Sequence, residues 1–78
     1  MILTMDEAAV FLGIDPNTVE VWEQHFGCPQ RLELERGQPG YAHEELTALR
    51  VALDTTFSIP AAVAVVRGTA ARQRRAAA

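Results

Sequence analysis

The stretch from Asp15 to Gly27, D-P-N-T-V-E-V-W-E-Q-H-F-G, carries both a start signal and a stop signal for one short helix. Asp15 can take a hydrogen bond from a first-turn N–H, which has no partner inside the helix. Pro16 falls at the first helical position, where its missing N–H costs nothing. Gly27 supplies a residue able to turn left-handed at the far end. Val19, Trp22 and Phe26 recur at i, i+3 and i+7, so one stripe faces a core and the opposite side is left for a partner. Another short capped helix precedes it across a glycine-containing turn. Such a pair is constrained to a helix-turn-helix unit, whose second helix is the reading helix.

The first helix opens on a capping box, Thr4-Met5-Asp6-Glu7, in which the Thr4 hydroxyl takes an N–H and Glu7 reaches back. Met5, Ala8, Ala9 and Leu12 share one face, Val10 and Phe11 widen it, and the helix stops at Gly13. That width predicts a helix held on two sides, with Ile14 plugging the gap to the next helix. After Gly27, Cys28-Pro29 breaks the helix. Arg31-Leu32-Glu33-Leu34-Glu35 alternates with period two, which predicts a strand with Leu32 and Leu34 inward. Arg36-Gly37-Gln38-Pro39-Gly40 is turn chemistry, and Tyr41 begins a short return strand, so the two strands form a hairpin wing.

A third helix is expected from His43-Glu44-Glu45, with acids at its positive end and Leu46, Leu49 and Leu53 along its apolar stripe. Thr55-Thr56-Phe57 interrupts the pattern. Ser58 can cap a fourth helix from about Ile59 to Arg67, with Val63 and Val66 inward. The expected fold is therefore mainly α, a winged helix-turn-helix of four short helices with a small β-hairpin wing. It occupies residues 1–67, and residues 68–78 form a basic tail that either extends the helix or is disordered.

Seventy-eight residues make one domain with a small core. No apolar run approaches the roughly 18 residues of a membrane span, and the N-terminus has no signal-peptide pattern. The single cysteine can form no internal disulfide, which suits a reducing cytoplasm. Charge is the most constraining total. Residues 1–66 carry all ten acids against three arginines, a net −7, whereas residues 67–78 carry four arginines and no acid. Phosphate neutralisation supplies most of a DNA binder's affinity, so an acidic body with a basic tail departs from the usual pattern.

The order helix, turn, helix, wing, helix, helix resembles the DNA-binding domain of bacterial MerR-family regulators. The matching pieces are Leu3-Thr4-Met5-Asp6-Glu7-Ala8-Ala9, Gly13-Ile14-Asp15-Pro16-Asn17-Thr18-Val19, Trp22-Glu23-Gln24-His25-Phe26-Gly27 and Tyr41-Ala42-His43-Glu44-Glu45-Leu46. They span roughly residues 3–67. The resemblance implies a sequence-specific, double-stranded DNA-binding transcriptional regulator, cytoplasmic, dimeric, with the second helix in the major groove and the wing on the backbone. Departures fall in that grip. Glu20 stands where the family usually has an arginine, Val21 where it has an aromatic phosphate contact, and Pro39 where it has a wing arginine. The family's long dimerisation helix and sensing domain are not in this sequence. The expectation is either an excised domain or a stand-alone protein with another dimer surface; a self-associating version of an adaptor is also open, with apolar Val65 and Phe57 exposed on the last helix.

The candidate DNA-contacting residues are Thr4, Asn17, Thr18, Glu20, Val21, Gln24, Arg31, Arg36, Gln38 and Tyr41, with Arg72, Arg74 and Arg75 of the tail. Asn17 and Thr18 suit base edges or phosphates, and Arg36 at the wing tip can replace the missing wing arginine. Trp22 and Phe26 read as core, and Glu23 as a partner for Arg31 or Arg36. The alternative function is an adaptor that binds a basic protein through an acidic face made by Glu20, Glu23, Glu33 and Glu35. Small MerR-like chaperone modulators resemble that arrangement. His25, Cys28 and His43 do not offer a four-ligand metal set, and no nucleophile stands beside a base. The expectation is a non-enzyme without metal or cofactor.

Overall fold

The computed structural model describes residues 1–77, with the side chains of residues 1–69. The elements in chain order are β1 (Ile2–Thr4), α1 (Met5–Leu12), α2 (Pro16–Phe26), β2 (Leu32–Glu33), a 3-10 turn (Glu35–Gly37), β3 (Pro39–Ala42), α3 (His43–Thr56) and α4 (Ile59–Ala77). Four helices and a small antiparallel sheet make an α-rich, winged-helix-like fold, as the sequence pattern predicts. No helix is long and apolar enough to cross a membrane among the described residues.

The capping box forms. Glu7 N–H donates to Thr4 Oγ1 at 3.2 Å, and Thr4 N–H donates to Glu7 Oε1 at 2.9 Å. Helix α1 ends at Gly13 and α2 at Gly27, both with positive φ. Asp15 stands at the head of α2, but its side chain accepts no hydrogen bond; only its carbonyl does, from Thr18 and Val19. The proline at the first helical position thus starts α2 without a side-chain cap.

Ala8, Ala9 and Leu12 of α1, Val19 of α2, Tyr41 of β3, Leu46, Leu49 and Ala52 of α3, and Ala62, Val63 and Val66 of α4 form the core, together with Cys28. Alanines at four of these positions let the helices approach closely around few large side chains. Trp22 and Phe26 are half-buried and pack against this core rather than fill it. Phe11 packs against the core, but Val10 is 83% exposed and does not widen the buried side of α1. Helix α3 begins at His43 as expected and closes on Phe57, whose φ is +55°. Phe57 therefore belongs to the α3–α4 corner and not to the last helix. Helix α4 runs past Arg67 to Ala77.

The sheet has three strands, ordered β1-β3-β2, where the sequence pattern yields a two-stranded hairpin. Leu3 lies opposite Tyr41 and Thr4 opposite Gly40. On the other side Leu32 lies opposite Gly40, and Glu33 opposite Pro39. The return strand thus begins at Pro39, and Gly40 is a strand residue and not part of the turn. A Cβ on Gly40 would come within 2.7 Å of Ile2 Cγ2 and 2.8 Å of Leu34 Cγ, so the bare backbone is what lets β1 and the wing close on β3. Strand β2 is two residues long and both are exposed, which corrects the inward placement of Leu32. Leu34 N–H donates instead to the Gln38 carbonyl at 2.7 Å and closes the wing around Glu35–Gly37.

Candidate nucleic-acid interface

Helix α2 is placed by what it buries. Val19 is fully buried, with Trp22 and Phe26 packed beside it, so the opposite side is turned outward by the helical period. That side carries Asn17, Val21 and Gln24, all exposed, with Thr18 and Glu20 half-buried at its edges. Gln24 Nε2 donates to Glu20 Oε1 at 3.4 Å across one turn.

Glu23 is turned away from this face and toward the wing. The Tyr41 hydroxyl donates to Glu23 Oε2 at 3.0 Å, and Arg31 Nη1 lies 3.7 Å from Glu23 Oε1. Only 15% of the Glu23 side chain is exposed. The pairing of Glu23 with Arg31 was legible in the sequence; the tyrosine was not. Burial, and then the hydrogen bond and charge of Glu23, push the Tyr41 phenol up to about 12 against the opposing pull of Arg31. The phenol therefore remains a donor throughout the neutral range.

Three of the expected contact residues are engaged within the fold. Tyr41 is fully buried and has no surface for a duplex to touch. Arg31 has its guanidinium beside a carboxylate. The Thr4 hydroxyl is exposed but already serves the α1 cap. Gln38 is exposed beside the wing turn, and Arg36 forms its tip with φ +63°. Arg36 makes no ion pair or side-chain hydrogen bond among the described residues. Arg72, Arg74 and Arg75 lie outside the described residues as far as their side chains are concerned.

Two arginines that the sequence pattern does not single out hold the helix-turn-helix against the α3–α4 hairpin. Arg50 Nη1 donates to the Leu12 carbonyl at the end of α1 at 3.0 Å and lies 3.4 Å from Asp54. Arg67 donates to the Phe26 carbonyl at the end of α2. Each guanidinium meets carbonyls that have no partner within their own helix, at the negative end of its dipole. Glu45 Oε1 accepts the Gln30 N–H at 2.5 Å and ties down the connection to the wing. Burial, and then the Glu45 carboxylate, push the Cys28 thiol up to about 11 against the pull of Arg67. At neutral pH it is a packed thiol and a poor nucleophile. No three His, Cys, Asp or Glu side chains come together as a metal site among the described residues.

The class that fold and surface define is a small winged helix-turn-helix-like domain whose second helix is presented outward. No known protein family, no curated protein and no solved structure matches the chain.

Proposed function

We propose that this chain is a MerR-like, non-catalytic DNA-binding module of a transcriptional regulator, acting in the cytoplasm, with α2 entering the major groove and the wing lying on the backbone. The observation that carries the proposal is the position of Glu23. A carboxylate facing phosphate without a partner would oppose binding. Here Glu23 is drawn off the reading side by Tyr41 and Arg31, and Glu20 is engaged by Gln24. Asn17, Val21 and Gln24 are left outward, side chains suited to base edges rather than to phosphates.

Phosphate contact falls to Arg36 at the wing tip and to Arg72, Arg74 and Arg75 of the C-terminal stretch. If each neutralises one phosphate, affinity falls with salt at a log–log slope of roughly −3 to −4 per protomer. Anisotropy titration of the full chain against a pool of random duplexes, from low to moderate salt, tests this. A flat titration at the lowest salt removes the reading.

One observation favours a second function, that of an adaptor for a basic protein. Glu33 and Glu35 are exposed on the wing, and Glu20 is half-exposed on α2. Glu23 contributes little to such a face, because it is held inside. Glu33→Lys with Glu35→Lys separates the two: it strengthens duplex binding if the chain grips DNA and abolishes a complex with a basic partner if it is an adaptor. Homodimerisation, through a surface that includes the exposed Phe57 and Val65, accompanies either function in this proposal.

A further inference from the structure

The outward side of α2 is a polar and apolar surface with no cation on it. Asn17, Val21 and Gln24 stand at i, i+4 and i+7, with Glu20 at i+3 flanking them. Gln24 donates to one carboxylate oxygen of Glu20, and the second oxygen has no hydrogen-bond partner among the described residues. This oxygen is a pure acceptor, and it stands beside the apolar Val21.

Base edges in the major groove differ in what they offer such a group. Guanine presents two acceptors, N7 and O6, which an arginine would meet and a carboxylate repels. Cytosine N4 and adenine N6 are the amino donors there, and thymine alone carries a methyl group. A carboxylate pressed against a duplex without a donor is unfavourable, so its acceptance of a base amino group is what makes its presence tolerable.

Resting on the DNA-binding function proposed above, we infer that α2 reads base amino groups and rejects guanine. Glu20 accepts from the exocyclic amino group of a cytosine or adenine, and Val21 packs on a neighbouring thymine methyl. Asn17 pairs with an adenine through N6 and N7. Glu20 is the specificity-determining residue, and its exclusion of guanine is the larger part of its effect.

The test is selection from a randomised duplex pool with the full chain at low salt, repeated with Glu20→Gln and Glu20→Arg. Wild type should disfavour guanine at one position by roughly tenfold or more, relative to cytosine or adenine. Single-position duplexes bearing cytosine or adenine there decide which amino group is read. Glu20→Gln should relax that position, and Glu20→Arg should invert it to guanine, with the other positions unmoved. Because the Glu20 side chain bonds only to Gln24 among the described residues, both variants should melt with wild type, so a merely structural role would leave base preference unaltered. Duplex retention with a preference indifferent to both substitutions overturns the inference and leaves DNA binding standing. Retention of no duplex at all takes both down.

Discussion

The Tyr41 hydroxyl donates to Glu23 Oε2 at 3.0 Å, joining the buried middle strand of the sheet to α2. The bond ties α2 to β3 of the wing and holds the Glu23 carboxylate away from the outer side of the helix. Arg31 completes the arrangement from the wing at 3.7 Å.

Tyr41→Phe keeps the ring in its pocket and deletes the donor. Glu23 then retains only the looser arginine contact in a site that is largely closed to water. A hydrogen bond to a charged group is worth about 1.5–3 kcal/mol, and the low end applies where some solvent reaches the acceptor. Urea denaturation should show a loss of about 1–2 kcal/mol at unchanged m-value. A midpoint indistinguishable from wild type would mean that the bond does not hold the helix to the sheet.

Alkaline pH should destabilise the fold through two groups. Burial is the leading cause in both: Cys28 rises from 9.0 to about 11, and Tyr41 from 10.0 to about 12. In each case the native state favours the protonated, neutral form. The stabilisation is complete below the unfolded values and is lost as pH rises through the folded ones, because the unfolded chain releases its protons first. Unfolding free energy should therefore decline from about pH 9 onward and most steeply between pH 10 and 12, within the range set by these shifts. In Tyr41→Phe with Cys28→Ala that decline should be much shallower, measured from the variant's own neutral-pH stability.

Gly40 and Gly37 should respond to alanine for different reasons. At Gly40 the new methyl would strike Ile2 and Leu34 side chains at 2.7 and 2.8 Å, so β1 or the wing must shift. Overpacking of this kind costs about 1–3 kcal/mol. At Gly37 there is open space, but φ is +69°, and the cost is backbone strain of roughly 1 kcal/mol. Thermal melts should rank Gly40→Ala below Gly37→Ala, and only the former should disturb the amide shifts of Ile2–Thr4.

The parts of this fold that could be read from the sequence are those whose cause is local. The Thr4–Glu7 box, the terminal glycines of α1 and α2, and the stripes of α3 and α4 depend on residues within one or two turns of each other. Strand β1 offers no such signal: three residues are too few to show alternation, and their partners lie some forty positions on. Leu32 and Leu34 alternate as an inward-facing strand should. The chain leaves the sheet after Glu33, however, and Leu32 remains exposed on an edge strand. Val10 shows the same limit, since the apolar width of α1 says nothing about whether a neighbour exists on that side. In the candidate site, the outward set on α2 followed from its helical period. The burial of Tyr41 and the caps made by Arg50 and Arg67 could not, because they join residues 18 to 41 positions apart.

Arg36 and Arg67 carry the same charge, and removing it should have opposite consequences. Arg67 donates to the Phe26 carbonyl, whose oxygen has no N–H donor within α2, and so joins α4 to the end of α2. Arg67→Met preserves much of the aliphatic length and should cost about 1 kcal/mol in stability, the scale of a charged group at a helix C-terminus. Arg36 sits at the wing tip with φ +63° and no partner among the described residues, so Arg36→Met should leave the melting temperature unchanged, whereas Arg36→Gly should raise it slightly by relieving the positive φ. In DNA titrations the order reverses. Arg36→Met should lower affinity uniformly across sequences and reduce the magnitude of the salt slope by about 1, as loss of one phosphate contact requires. Arg67→Met, measured well below its melting temperature, should keep the slope, since its guanidinium is already committed to the protein. If both variants change the slope equally, Arg67 reaches the phosphates too, and the division of the arginines into structural and DNA-facing groups is wrong.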